Sequence, residues 1–579
     1  MPSSPWQNSS SRKSGDWLRN SAPPTRRKQN TPPRGISVPV SGFPGHLLLP
    51  RAPRGGAWVF LLAAIHIAWA GASPTGPQLL TFRSTADGSE QPYALYVPKS
   101  PPADGKYPLV IGLHAEDSDH RLSLRRVLGV RYRAGEISPE NLRSLKPLSD
   151  VPYLVACPLA RGTMGYEGLA ERDVYDMLAD VERRFPVDPD RVYLTGMSMG
   201  GAGALRLALT QPDVWAAVAV VCPTPAPGLD ALAENAIDLP VRLFHGEQDP
   251  MVKVALTRAW QRRLLDVGVT AEYIEYPAAR HNAWELAYRD GAIFGWFGNY
   301  RRNTQPEHVH FTTDSYRYSS AYWVRIDGLT PGTPATIDAR WNNGKLAVAT
   351  TNIDGFSVTG TPGLHRVAID GTALATRSLS FRKVNGRWHI GHCPPSAKRA
   401  GEEGPMAEAV AGPQIYVYGA GTRAMAERAA AWSTARNRLL IAPEVKADKL
   451  VTAADEARAN LILFGDAGTN SVIARLAPEL PLALNPGAAD YGLLFIYPLG
   501  HRCVLVNSGL PWWTGADEAK RGGDPFAPWQ LRLLETFGDY ILYKGSLANV
   551  VAEGRFDRNW KVPPDAAAKL RATGTVTIR

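Results

Sequence analysis

One serine in the chain is placed as a nucleophile would be. Gly196-Met197-Ser198-Met199-Gly200 follows the apolar run VYLTG and opens MGGAGALRLAL, a helical pattern. A strand entering a helix through a glycine-flanked turn is tight and lifts the central side chain clear of the sheet. A serine hydroxyl is a weak nucleophile until a base takes its proton and a third group orients that base. Two later segments supply such groups. Asp249 lies three residues after VRLFHG, in HGEQDPMV, and His281 follows AEYIEYP, in ARHNAW. Ser198, Asp249 and His281 therefore read as nucleophile, orienting acid and base of an acyl transfer. Glu247 competes for the acid role, and a helix cap or Asp-Pro turn is the plain alternative for Asp249. A surface-loop histidine is the alternative for His281, and His245, at a strand end, reads as structural. An oxyanion needs backbone N–H donors. These are assigned to Met199 and to Ala115, in the His114-Ala115-Glu116 loop after PLVIGLH.

These groups must be positioned by strands that end at one edge of a sheet. Residues 78–302 supply them. LLTFRST and PYALYVPK flank a turn at Asp87-Gly88, a hairpin signal. The short apolar runs 108–114, 153–157, 192–196, 216–222, 241–246 and 271–277 read as buried strands, with helices expected at 170–185 and 253–267. The first helix carries Val174, Met177, Leu178, Val181 and Phe185 on one stripe, and Gly268 stops the second. Strand and helix in alternation predict a parallel sheet covered by helices, with its site at the carboxyl edge.

Residues 306–392 change character. VHFTTDSYRY, AYWVRIDG, ATIDARW, KLAVATT, HRVAIDG and SLSFRKV read as short strands, with hairpin turns at Asn343-Gly344 and Asn385-Gly386. A small β-sandwich is expected. Tyr316, Tyr318, Tyr322 and Trp323 read first as core packing and second as a carbohydrate-stacking surface. A linker at 393–413 leads to a second α/β region, 414–579. It holds the strand patterns IYVYG, RLLIAP, NLILFG, GLLFIY and CVLVNSG and a helix near 424–436. There, Gly419-Ala420-Gly421-Thr422-Arg423-Ala424 matches a degenerate dinucleotide fingerprint, with Glu444 placed as a ribose-binding acid. Plain turn geometry is the preferred reading, and no cofactor is expected.

The whole chain has 579 residues, 44% hydrophobic and 20% charged, which excludes a disordered, collagen-like or multi-span membrane protein. Its net charge of +10 is no sign of nucleic acid, because residues 1–56 hold nine Lys/Arg against Asp16 alone. The apolar run 57–70 is shorter than a spanning helix. Arg51 and Arg54 precede it, Ala68 and Ala70 close it, and Ala72 lies just beyond. Residues 1–72 are thus expected to be a disordered leader with a signal peptide near 51–72, which implies a secreted or periplasmic protein; an uncleaved anchor is the alternative. The length before the apolar run reads as a start assigned too far upstream.

Four cysteines make no disulfide scaffold. Cys157 and Cys222 end strands that lie too far apart to pair, whereas a Cys393–Cys503 pair is left open. With no CxxC or His-rich cluster, no metal is expected. Residues 116–150 carry Arg121, Arg125, Arg126, Arg131, Arg133, Arg143 and Lys146, offset by acids that include Glu116, Asp117, Asp119, Glu136 and Glu140. They read as a solvated face, with a basic flap for anionic or sugar-linked esters as the alternative. Oligomeric state is open.

PLVIGLH, RGTMGYEGLAERDVYDMLADVERRFPVDPDRVYLTGMSMGG, FHGEQDPMV and ARHNAW resemble the α/β-hydrolase superfamily. Within it, residues 78–302 look like secreted prolyl-oligopeptidase-like esterases akin to feruloyl and acetyl xylan esterases and polyhydroxybutyrate depolymerases. The resemblance implies an α/β-hydrolase catalytic domain over 73–302, with the β-sandwich and second α/β domain appended. It further implies an exported Ser-Asp-His carboxylic-ester hydrolase acting on feruloyl or acetyl esters of polysaccharide or on polyester. The alternative is a serine peptidase on the same fold. Relatives usually have His-Gly where this chain has His114-Ala115, which bears on the second oxyanion donor.

Overall fold

The computed structural model describes residues 74–579 apart from 117, 130–149, 163, 361–363, 396, 437–440, 515–533 and 535. Residues 1–73, where a leader and signal peptide are expected, and most of the basic segment 116–150 lie outside the described residues. Among the described residues, no helix is long and apolar enough to cross a membrane. Residues 72–579 form one compact unit.

The first region is built on eight strands: β1 (Gly76–Arg83), β2 (Glu90–Val97), β3 (Tyr107–Leu113), β4 (Leu154–Pro158), β5 (Val187–Met197), β6 (Ala217–Val221), β7 (Val241–Gly246) and β8 (Ala271–Tyr276). They pair in the order β1-β2-β4-β3-β5-β6-β7-β8. The first hairpin is antiparallel, β2 pairs antiparallel with β4, and every later pair is parallel. Each expected strand forms within a few residues of its apolar run. All five residues of β6 are buried, as expected for a central strand covered on both faces. The main helices are α1 (His120–Val127), α2 (Leu169–Arg184), α3 (Met199–Thr210) and α4 (Val254–Asp266). Val174, Met177 and Val181 on α2 pack with Leu109, Ile111 and Leu194 of the sheet in one apolar core.

Arg161 ties the first hairpin to this layer. It is buried, and its guanidinium donates to Asp173 Oδ2 at 2.7 Å and Asp87 Oδ2 at 2.9 Å. Asp87 thus turns the hairpin and also anchors it.

Beyond residue 302 lie two five-stranded sheets with a shared core that includes Val309, Phe311, Phe356 and Phe381. Asn343-Gly344 and Asn385-Gly386 form hairpin turns with φ of 46° and 76°, and 48° and 77°. Strand Ile353–Val358 is not among the expected ones, because Gly355 breaks its apolar pattern. A further hairpin turns at Asp370-Gly371, with φ of 46° and 80°.

The last sheet has seven strands. Gln414–Tyr418 is paired in parallel on both sides, by Glu444–Ala447 and Asn460–Phe464, and Arg502–Gly509 continues in parallel. The first half of RLLIAP, expected to be a strand, lies outside the described residues. Just downstream, Glu444–Ala447 is a charged edge strand. The expected helix near 424–436 is α5 (Arg423–Arg436). Its neighbour at the same sheet edge is α6 (Ser471–Leu476).

The regions are joined by polar contacts. Asn235 donates to Leu209 O and Thr312 O, each at 2.9 Å, and accepts from Thr312 N at 2.7 Å. The Tyr318 hydroxyl donates to the Glu171 carboxylate at 2.7 Å.

Candidate active site

Ser198 sits between the end of β5 and the start of α3 with φ of 54° and ψ of −118°. A non-glycine residue there costs roughly 1–3 kcal/mol and persists because its surroundings enforce it. The Ser198 N–H donates to Val221 O at 2.9 Å on the neighbouring strand. Glycine is required on either side. A Cβ on Gly196 would lie 2.0 Å from Gly200 O, and one on Gly200 would lie 2.3 Å from Leu113 O. Strand, turn and helix therefore approach to backbone contact, and the half-buried serine is held at the carboxyl edge of the sheet.

His281 reaches this serine from the loop after β8, and Asp249 reaches His281 from the loop after β7. His281 Nε2 is 3.0 Å from Ser198 Oγ, and Nδ1 is 2.7 Å from Asp249 Oδ2. A carboxylate only accepts, so Nδ1 carries the proton and donates it to Asp249. Nε2 is then the acceptor for the serine O–H.

Asp249 has a fully buried side chain. Burial alone would raise its pKa. Hydrogen bonds from Val252 N–H at 2.9 Å, His281 and Met251 N–H at 2.8 Å outweigh that and hold it below the usual carboxylate range. Glu247, the competing acid, is exposed on the same loop.

Two further residues complete the surroundings of Asp249. His245 is buried at the end of β7, with Nε2 3.0 Å from Val252 O and 3.2 Å from Asp249 Oδ2. Its Nδ1 is 2.7 Å from the Thr257 hydroxyl. Two acceptors at Nε2 place the ring proton there, so Nδ1 accepts from Thr257 and His245 donates toward Asp249. Burial keeps its pKa below the ordinary value. Its structural reading from sequence is thus extended to a contact with the acid. Cys222 is also buried beside Asp249, and burial pushes its thiol up to about 12. Cys222, Asp249 and His281 place their potential ligand atoms within 4.8 Å of one another. The set suits a metal poorly, because Asp249 already accepts from His281 and two amides and His281 Nε2 faces Ser198 Oγ at 3.0 Å. Neither neighbour carried a spacing signal, because both sit inside strand-end patterns.

Met199 opens α3, so its N–H belongs to the first turn, which has no intrahelical acceptors. Ala115 follows β3 in the loop whose carbonyls abut Gly200. His114 braces that loop: its ring nitrogens lie 2.7 Å from Ala115 O and 2.8 Å from Leu159 O, and Tyr166 donates its hydroxyl to His114 O at 3.2 Å. Trp284 presents a perpendicular ring 5.3 Å from His281.

Other candidates resolve into packing. Tyr316 and Trp323 are buried in the sandwich core, and Tyr318 hydrogen-bonds Glu171, so the four aromatics form no exposed stacking platform. Gly419 is glycine because a Cβ there would lie 2.1 Å from Thr469 O. Glu444 pairs with Lys446 and Arg458 at the sheet edge. All four cysteines are free thiols, including Cys393 and Cys503.

An eight-stranded sheet of this order, with a strained serine turn after β5, defines the α/β-hydrolase fold. Residues 162–290 match the model of the Dienelactone hydrolase family. Carboxylesterase SOBER1 of Arabidopsis thaliana is 27% identical over 144 residues, which are 24% of this chain and 61% of that protein. The chain therefore spans less than two thirds of that relative. Among solved structures, a thermostable esterase is 24% identical with a TM-score of 0.31, over 39% of this chain and 63% of the other. A ferulic acid esterase of Anaeromyces mucronatus, solved with ferulic acid, is 14% identical with a TM-score of 0.30, over 39% of this chain and 91% of the other.

Proposed function

We propose that the protein is a serine hydrolase that cleaves carboxylic esters through an acyl-enzyme. The observation that carries this reading is the pair of hydrogen bonds linking Ser198, His281 and Asp249 across three strand ends. Ser198 Oγ attacks the acyl carbon as its proton passes to His281 Nε2. The imidazolium that forms is stabilised by Asp249. The carbonyl oxygen gains negative charge and is met by the N–H groups of Met199 and Ala115. The C–O bond to the alcohol then breaks, with His281 returning the proton to the leaving oxygen. Water, deprotonated by His281, attacks the acyl carbon; the carboxylic acid leaves and the Ser198 hydroxyl is restored.

Feruloyl or acetyl groups on polysaccharide, or a polyester, are the proposed substrates, and the segment near 51–72 is proposed to direct export. The test is hydrolysis of p-nitrophenyl acetate and butyrate, methyl ferulate, acetylated xylan and a peptide amide by wild type and Ser198→Ala. Ester turnover in wild type alone is expected. Equal turnover by both would overturn the nucleophile, and amide cleavage without ester preference would replace the esterase by a peptidase. N-terminal sequencing of exported protein tests cleavage after residue 70 or 72.

A further inference from the structure

One side of α3 leads away from the serine. Met199, Ala202, Gly203 and Arg206 recur at i, i+3, i+4 and i+7 and line one wall of a cavity of about 200 Å3. The opposite walls come from Met164–Glu167 and from Thr224, Ala226 and Leu229. At Arg206 this cavity meets a larger one of about 430 Å3, which runs on between Gly168, Tyr318 and Ala411. From Ser198 to Arg206 the helix advances eight residues, about 12 Å.

Arg206 is ion-paired with Glu167 and Glu171 but sparsely hydrogen-bonded. Its Nε is buried with no hydrogen-bond partner. Nη2 reaches only the Tyr318 oxygen, at 3.4 Å, and the carboxylates of Glu167 and Glu171 stand off at 3.8 Å, beyond hydrogen-bond range. A partly buried guanidinium with so few acceptors is costly unless something else supplies them. The nearby acids are differently placed. Glu403 accepts from Ser315 Oγ, Tyr316 N–H and Arg317 N–H, and Glu408 accepts from the N–H groups of Glu403 and Gly404. Burial also pushes Glu408 up to about 7.

Charge on the walls is mixed. Arg206 and Arg317 face Glu167, Glu403 and Glu408, with Glu171 behind Tyr318. An anionic occupant would meet these acids and a cationic one the two guanidiniums. An uncharged group rich in oxygen acceptors and hydroxyls would satisfy Arg206 without opposing either sign. Met164, Leu169, Val410 and Ala411 offer it apolar contact.

We propose that this trough receives the part of the ester remote from the scissile bond, and that its occupant is an uncharged, polyhydroxylated group of about disaccharide length held by Arg206. The assignment rests on Ser198 as the nucleophile. It also gives the segments beyond residue 302 a share in substrate selection, because Tyr318 and the 403–411 stretch form the far wall.

The test uses the full chain as wild type, Arg206→Met, Ala411→Trp and Ser198→Ala. Acetate release is followed from ethyl acetate, a mono-acetylated neutral disaccharide and the same disaccharide bearing a uronate. The readout is kcat/KM for each sugar ester relative to ethyl acetate. Both Arg206→Met, which keeps the aliphatic stem, and Ala411→Trp, which fills the far end, are expected to lower that ratio about tenfold for the neutral sugar, through KM. An unchanged ratio in both variants overturns the proposal, and a tenfold preference for the uronate overturns the uncharged occupant. Binding of the unacetylated disaccharide to Ser198→Ala, with and without Arg206→Met, is measured by calorimetry. Loss of that binding with Arg206→Met supports the trough even if the nucleophile reading fails. Equal binding by both, alongside Ser198-dependent ester turnover, sinks the trough alone.

Discussion

Two parallel-sheet regions of this chain solve the same local problem and reach different ends. Near Ser198 and near Gly419 alike, a strand runs through a glycine turn into a helix, and a second backbone segment packs so closely that a Cβ would collide. Around Ser198 the polar side chains reach across loops: residue 281 bonds residues 198 and 249, each from the end of a different strand. Around Gly419 most close on their own turns, and those that cross, Thr422 Oγ1 to Phe464 O at 3.2 Å and Asp448 Oδ2 from Ser471 N–H at 2.6 Å, meet backbone groups and not another side chain. Asp466 Oδ1 accepts from Gly468 N–H and Thr469 N–H, and Asn470 accepts from Val472 N–H and Ile473 N–H while donating to Phe464 O. Side chains spent on their own turn are not available to a ligand. The lesson is that a glycine turn at a sheet edge marks close packing, and chemistry follows only where side chains from separate loops are aimed at one another.

The sharpest way to break the comparison is to cut one cross-loop bond without changing shape. Asp249→Asn keeps the volume but lets the side-chain amide donate, which favours the His281 tautomer with its proton on Nε2. That tautomer cannot accept from Ser198. Ester turnover is expected to fall roughly 10⁴-fold in kcat with the fold intact by circular dichroism. A loss of less than tenfold would mean the relay is not used.

Arg161→Met separates the scaffold from the site. It leaves Asp87 and Asp173 buried without their cation, and the expected cost is roughly 3–5 kcal/mol in chemical denaturation. Turnover per folded molecule is expected to survive, since Arg161 touches none of the reacting groups. An effect on turnover matching that of Asp249→Asn would show that the hairpin and the site are one unit.

His245→Gln sharpens the first half of the comparison. Its ring donates toward Asp249 from behind, so a roughly tenfold drop in kcat with little change in KM is expected. The residue also carries a pH signature. Burial holds the folded His245 below its ordinary value of 6.5, so below that pH the unfolded chain binds a proton that the native chain refuses. Stability from this group is therefore lost as pH falls from 6.5 toward the folded pKa. Midpoints measured against pH are expected to flatten there in His245→Gln, and an unchanged slope would remove His245 from the account.

How far this was legible in the sequence depended on whether the signal was local. VYLTGMSMGG is a local signal, as are the strand runs that precede the loops of Asp249 and His281, so a helix-covered parallel sheet and the meeting of these three residues at its edge followed from it. Asn343-Gly344 and Asn385-Gly386 likewise fixed their hairpins through the positive φ that both turn positions need. Partners made by the fold alone were not legible. The contact of His245 with Asp249, the burial of Cys222 beside it and the sparse hydrogen bonding of Arg206 arise from strand ends and helix faces meeting. Glu444–Ala447 was not legible because it is an edge strand whose Glu444 and Lys446 are held by ion pairs rather than by a core. Tyr316 and Trp323 were read first as core, and they are buried in it.

The smallest expected effect tests the second half of the comparison. Asp466 does for its loop what Asp249 does in part, accepting backbone N–H groups two and three residues on. It differs in having no histidine beyond it: its other contacts are the Thr469 hydroxyl and amide of the same turn. Asp466→Ala therefore removes only local hydrogen bonds on an exposed loop, and the expected loss is about 1 kcal/mol in chemical denaturation. Ester turnover is expected to stay within twofold of wild type. If Asp466→Ala instead reduced turnover tenfold while stability held, the second sheet edge would belong to the chemistry, and within-turn bonding would no longer distinguish a packing turn from a working one.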